Sequence, residues 1–298
     1  MNQEIEQQQT SVTDKKKQQI LVPHDFSDSC KCAVNYGIML ARIFKCELTL
    51  IHIITKEFVK RHGGFSEAES DARMRLAENA AIIQNQSGVV VNAYALPGKV
   101  NIIIRTVIER INAIILVAGL NPLNRTALHY FHPLNLVTDY RELRIPVLVV
   151  QNKMPDAHTF RHIILPIDFT KESKEKASWA GYFSKLNRSA ITIIHTEYRD
   201  GFFAAQLRNN LILVQKLFNT LEAAYEIHKA EKVKYGIDRY GVSYAKMKEA
   251  GMLNIMAAKE WGIDDFLLGP PEKKIITNED QLPVMMINPR DDLYVPCV

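Results

Sequence analysis

Near the amino end of the chain a long polar stretch gives way to Ile20-Leu21-Val22, which is closed at once by Pro23-His24-Asp25-Phe26-Ser27. An apolar run this short, ended by proline, predicts a strand buried on both faces. Ser27 and Asp28 are N-cap residues for a following helix. On it Cys30, Ala33, Val34, Gly37, Ile38, Ala41 and Phe44 recur at helical spacing and form one apolar face. The pattern continues as a strand over 47–54, a helix-like stretch over 65–86, a strand over 89–96, a helix over 100–111 and a strand over 113–117. Pro146-Val147-Leu148-Val149-Val150 closes the series. Regular alternation of strand and helix predicts a parallel sheet covered on both faces.

The same unit occurs twice. A shift of 143 places lays Ile20 to Ser27 over Ile163-Ile164-Leu165-Pro166-Ile167-Asp168-Phe169-Thr170, and Leu48 to His52 over Ile191-Thr192-Ile193-Ile194-His195. Over residues 20–52, eight of 33 positions are identical, against about two expected from ordinary composition. The second copy predicts a long helix-like stretch over 202–235, a fourth strand over 265–268 and a fifth over 283–287. The implied organisation is a disordered tail at 1–18, a domain at 19–151, a linker at 152–160, a second domain at 161–290 and a tail at 291–298.

Composition narrows the partners. Within 298 residues, 37 Lys+Arg against 33 Asp+Glu leave a net charge of +4, and Lys15-Lys16-Lys17 is the one basic run. That balance argues against nucleic acid as a partner. No apolar run approaches the roughly 18 residues that cross a bilayer, so no membrane association is expected. Four cysteines in so long a chain are not a disulfide framework. Together with a polar rather than signal-like beginning, they predict a cytoplasmic protein. Cys30 and Cys32 have no second Cys/His pair at ligand spacing, and His129 with His132 supplies half a metal site at most. No metal is expected, and Asn187-Arg188-Ser189 carries no glycosylation meaning in that compartment.

Several residues in order resemble the universal stress protein family, in its tandem form. They are Val22-Pro23-His24-Asp25-Phe26-Ser27, Ala33-Val34-Asn35-Tyr36-Gly37, Ile51-His52, Gly98, Gly119 and the terminal Pro146-Val147-Leu148-Val149-Val150. The resemblance covers 19–151 well and 161–288 more loosely. It implies an α/β fold of two Rossmann-like domains of the adenine nucleotide alpha hydrolase type. Each is a five-stranded parallel sheet in the order 3-2-1-4-5 with helices on both faces. The fifth strands pair, so that the chain is its own pseudo-dimer, and homodimerisation stays open.

The order of strands reverses between the first and fourth, and a crevice there is where open α/β sheets bind ligands. Candidate ligand-binding residues in the first copy are Pro23, His24, Asp25, Ile53, Ala118, Gly119, His132 and Leu134. Their counterparts Pro166, Ile167, Asp168 and Gly269 read as vestigial. Asp25 and Asp168 either contact a ligand's polar edge or satisfy amides of their own turn. His52 and His195 end second strands, where a rim hydrogen bond competes with a crevice role.

Family members that bind ATP carry Gly-x-x-Gly, nine residues, then Gly-Ser or Gly-Thr after the fourth strand. Here Gly119 holds the first position, Pro122 the second and His132-Pro133 the last pair. Proline has no amide to offer a phosphate. His132 would either contact an anion or, with Phe131 and Leu134, fill the phosphate space. In the second copy thirteen residues separate Gly269 from Pro283, against 26 between Gly119 and Pro146, so a shortened loop is expected. The resulting expectation is a non-catalytic stress-response protein without a cofactor, acting through a small ligand or a protein partner. The alternative is an ATP or AMP binder, with slow ATP hydrolysis, that uses the first domain only.

Overall fold

The computed structural model describes residues 17–120, 143–231, 233, 235–257 and 271–289. The first half contributes β1 (Gln19–Pro23), α1 (Asp28–Phe44), β2 (Glu47–Ile54), α2 (Lys56–Arg61), α3 (Phe65–Ser87), β3 (Val91–Pro97), α4 (Val100–Arg110), β4 (Ala113–Gly119) and β5 (Val147–Val150). The second contributes β6 (His162–Pro166), α5 (Lys176–Asn187), β7 (Ala190–Thr196), α6 (Gly201–Thr220), β8 (Tyr225–Ala230), α7 (Ile237–Met247), β9 (Met252–Met256), α8 (Pro271–Ile276) and β10 (Val284–Ile287). A single 3₁₀ turn, Lys171–Lys174, precedes α5. Among the described residues no helix is long and apolar enough to cross a membrane.

The ten strands of the described residues lie in one sheet, ordered β3-β2-β1-β4-β5-β10-β9-β6-β7-β8. Each half is therefore ordered 3-2-1-4-5 counted from its outer edge, and within each half every pairing is parallel. The central pair alone is antiparallel, with Met285 opposite Leu148 and Met286 opposite Val147. Both strands are wholly apolar and buried. Left as edges they would expose an apolar ladder with free N–H and C=O groups.

Side chains alternate across this sheet and fill two cores. On one face Ile20, Leu48, Ile163, Leu165 and Met285 pack under α1, α5 and α6. On the other Leu21, Ile51, Ile164, Leu253 and Met286 pack with residues of α4 and α7. Each core draws on both halves. On the first face α1 meets α5 directly, with the Phe44 ring 5.3 Å from Phe183 and 6.1 Å from Trp179.

Two expectations are corrected. The stretch 202–235 is not one helix. Asp200 caps α6 by accepting from Phe202 N and Phe203 N, α6 ends at Thr220, and the chain reverses through Glu222 at φ 54° to enter β8. No glycine or proline marks that turn, and β8 is a polar-faced edge strand whose residues alternate poorly in hydrophobicity. The fourth strand of the second half is β9, not 265–268, which lies outside the described residues. Asn254 interrupts the apolar run of β9 and disguised it, yet it is fully buried. Residues 257–283 therefore join β9 to β10, and residues 120–146 join β4 to β5, 27 in each case. The second connector is not shortened relative to the first.

Candidate functional site

The crevice expected in the first half belongs where the neighbouring strands β1 and β4 end. At the end of β1 the Asp25 carboxylate accepts from Ser27 N at 2.9 Å and from Ser27 Oγ at 2.5 Å. Ser27 in turn caps α1, its Oγ accepting from Cys30 N. Between them Phe26 takes the left-handed conformation, φ 64°, which costs about 1 kcal/mol for a residue with a β-carbon. That reversal turns its ring onto the neighbouring imidazoles, 4.8 Å from His24 and 4.6 Å from His52. The Arg75 guanidinium of α3 covers the ring at 4.0 Å. The aromatic contacts run on to Phe58, 4.6 Å from His52, and to His62, stacked on Phe58 at 4.1 Å. Asp71 bridges His62 and Arg75 at 3.2 Å each.

Both crevice histidines are used internally. His24 N donates to Ile51 O at 2.7 Å, and its Nδ1 accepts from Phe26 N. His52 Nδ1 donates to His24 O at 2.7 Å. Burial lowers both rings to about 4, so they are neutral near pH 7 and poor general acids there. Of the residues expected to line this crevice, Pro23, His24, Ile53 and Ala118 are buried, while Asp25 and Gly119 are partly exposed. His132 and Leu134 lie outside the described residues. Gly119 has a structural reason of its own. A Cβ there would stand 2.5 Å from Ser29 O and 3.2 Å from Cys30 N, so its absence lets β4 meet the first turn of α1.

The second crevice repeats the turn with different walls. Asp168 Oδ1 accepts from Thr170 N at 2.9 Å and Thr170 Oγ1 at 2.6 Å, and Ile167 N donates to Ile194 O as His24 N does to Ile51 O. Phe169 packs on Phe203 at 4.3 Å and Tyr198 at 4.9 Å. Asn210 of α6 donates to the carbonyls of both Asp168 and Thr170. Lys176, which aligns with Ala33, is 1% exposed and lies 3.4 Å from Asp238. Burial raises the Asp238 carboxyl, against the pull of Lys176. Pro166 and Ile167 are buried, Asp168 is partly exposed, and the His195 ring lies 3.4 Å from Thr196 O. Gly269 lies outside the described residues.

Arg75, Phe58 and His62 were not legible as crevice residues, because only the packing of α2 and α3 brings them there. Lys176 had a visible signal, a lysine aligned with a helix-face alanine. Cys30 and Cys32 do not act together. The Cys30 thiol faces Pro23 O and the Cys32 thiol faces Asn152 O and the Met154 sulfur, and burial raises both. Among the described residues no group of three His, Cys, Asp or Glu could hold a metal ion.

Residues 17–151 match the model of the Universal stress protein family. The whole chain is similar in fold to a universal stress protein from Archaeoglobus fulgidus DSM 4304, with TM-score 0.71 and 14% identity over 91% of this chain and 98% of that one. It is also similar to a functionally unknown protein from Pseudomonas aeruginosa PAO1, with TM-score 0.57 and 14% identity over 91% and 92% of the two chains. At that identity the likeness speaks for fold alone. Among curated proteins none matches the chain.

Proposed function

We propose that the chain is a tandem universal stress protein that acts without catalysis, through a small ligand or a protein partner, and that neither crevice holds a nucleoside triphosphate. In this reading domains 19–151 and 161–290 are joined by a linker at 152–160, and the β5–β10 pairing makes them an internal pseudo-dimer. The observation that carries it is the pair of equal connectors. Counted from the ends of β4 and β9, Gly119, Pro122 and His132-Pro133 stand in step with Met256, Lys259 and Gly269-Pro270.

A phosphate cradle needs glycines for close backbone approach and free amides to donate to the anion. Each half retains one of the three glycines, and a different one. Both place proline where the motif has its hydroxyl residue, and proline also removes an amide donor. The crevice side chains agree, since one Asp25 oxygen is taken by its own turn and both imidazoles are bonded to backbone.

Calorimetric titration of the full chain with ATP and with AMP tests this. The expected result is no saturable heat at millimolar nucleotide. One micromolar site abolished by Asp25→Ala would favour the nucleotide-binding alternative in the first domain. Two such sites would remove the proposal altogether.

A further inference from the structure

A cavity of about 340 Å³ opens at the junction of the two halves. Its wall includes Tyr36 of α1, Lys153 and His158 from the segment between the halves, the last turns of α7, and the residues entering β9 and β10. Because β5 and β10 run antiparallel, this is the end of the sheet where β5 leaves and β6, β9 and β10 enter. The second crevice lies at the opposite end. The volume falls within the range of small-molecule sites. One wall is closed by backbone packing, since a Cβ on Gly251 would stand 2.3 Å from His158 O and 2.7 Å from Phe160 N.

The polar groups around the cavity divide into committed and uncommitted. Lys246 is paired with Asp280 at 2.6 Å. Asp156 Oδ1 already accepts from His158 N, Thr159 N and Thr159 Oγ1. Four groups remain without a hydrogen-bond or ion-pair partner among the described residues: the Tyr36 hydroxyl, the Lys153 ammonium, the His158 imidazole and the Glu249 carboxylate. Tyr36 is the telling one. It is 1% exposed, its ring is packed edge-on against Phe160 at 5.9 Å, and it borders the cavity. Burial, reinforced by Asp156, pushes its hydroxyl up, so it remains a protonated donor. That hydroxyl borders the cavity without a protein partner among the described residues, and an acceptor bound there gives it one.

We propose that this cavity binds a small zwitterion of the α-amino acid class. Tyr36 and Lys153 take its carboxylate, Glu249 takes its ammonium, and Val242, Ala245 and Leu282 face its apolar part. The proposal deepens the small-ligand reading above but is separable from it, because crevice nucleotide binding and cavity binding are read by different titrations.

The test is calorimetric titration of the full chain with the standard L-amino acids, each in turn at millimolar concentration. Single-site binding of at least one apolar member is expected. Tyr36→Phe keeps the ring and weakens that binding about tenfold, the loss of one good hydrogen bond. Lys153→Ala, in the exposed segment, serves the same purpose if Tyr36→Phe does not fold by circular dichroism. Glu249→Gln weakens the amino acid and leaves its des-amino carboxylic acid unchanged. The proposal is overturned if no amino acid binds, if the des-amino acid binds the unmodified chain equally well, or if the Tyr36 and Lys153 variants bind as the unmodified chain does.

Discussion

Among the described residues His24 and His52 carry the clearest pH signature. Their rings fall from 6.5 to about 4 through burial. Between those values the unfolded chain binds protons that the folded chain refuses, so stability is complete above about pH 6.5 and declines as pH drops toward 4. Each ring accounts for up to about 3 kcal/mol over the full window, and the two are adjacent, so their effects do not simply add. Urea midpoints should fall between pH 7 and pH 5, and His52→Gln should make that fall smaller. Equal midpoints at the two pH values would refute the assignment of both rings as buried and neutral. His52 could be singled out in sequence because it is the one imidazole within the apolar run of β2. Arg75 could not, since nothing local says that a residue midway along α3 will cover Phe26.

At the scale of elements the decisive contact is β4 against the first turn of α1. Gly119→Ala places a methyl against the Ser29 carbonyl, and backbone cannot give way as a flexible side chain can. The expected cost is about 1–3 kcal/mol, that of overpacking a close-packed site, read as a lowered urea midpoint. A midpoint equal to that of the unmodified chain would mean that α1 shifts freely. The second half is a natural comparison. Met256 ends its fourth strand, and there the entering chain winds as a 3₁₀ turn, Lys171–Lys174, before α5 begins at Lys176. The strands of the first half and its helices α1, α3 and α4 were legible from their apolar pattern, joined at α1 by the Ser27 cap, whereas the short α2, with no buried residue, was not. In the second half β9 was missed because Asn254 sits fully buried in its centre, and β8 because the turn before it uses Glu222 in place of glycine.

For the whole molecule, the continuous sheet and the two shared cores imply one cooperative unit. Neither core can be dismantled from one half without exposing residues of the other. Urea unfolding should therefore give coincident transitions by far-ultraviolet circular dichroism and by tryptophan fluorescence, since Trp179 sits where α5 meets Phe44 of α1. Two separated transitions would show that the halves fold independently. The repeat could be read in the chain from residues 20–52 against 163–195, whereas the strand order followed from the family resemblance and not from the repeat itself. The junction cavity could not, because Tyr36, Lys153 and Glu249 are far apart in sequence and meet only through the pairing of β5 with β10.

That pairing also changes what a mutation can do. Where two identical subunits meet about a twofold axis, every substitution strikes both sides together, and a residue that suits one side must suit its mirror image. Here the two sides of the seam are encoded separately, so each change is inherited on one side alone. The differences between corresponding positions fit that freedom: Ala33 against Lys176, Val117 against Asn254, Gly119 against Met256. One half can keep a packing requirement that the other does without, and a ligand that touches both halves is under no obligation to be symmetric.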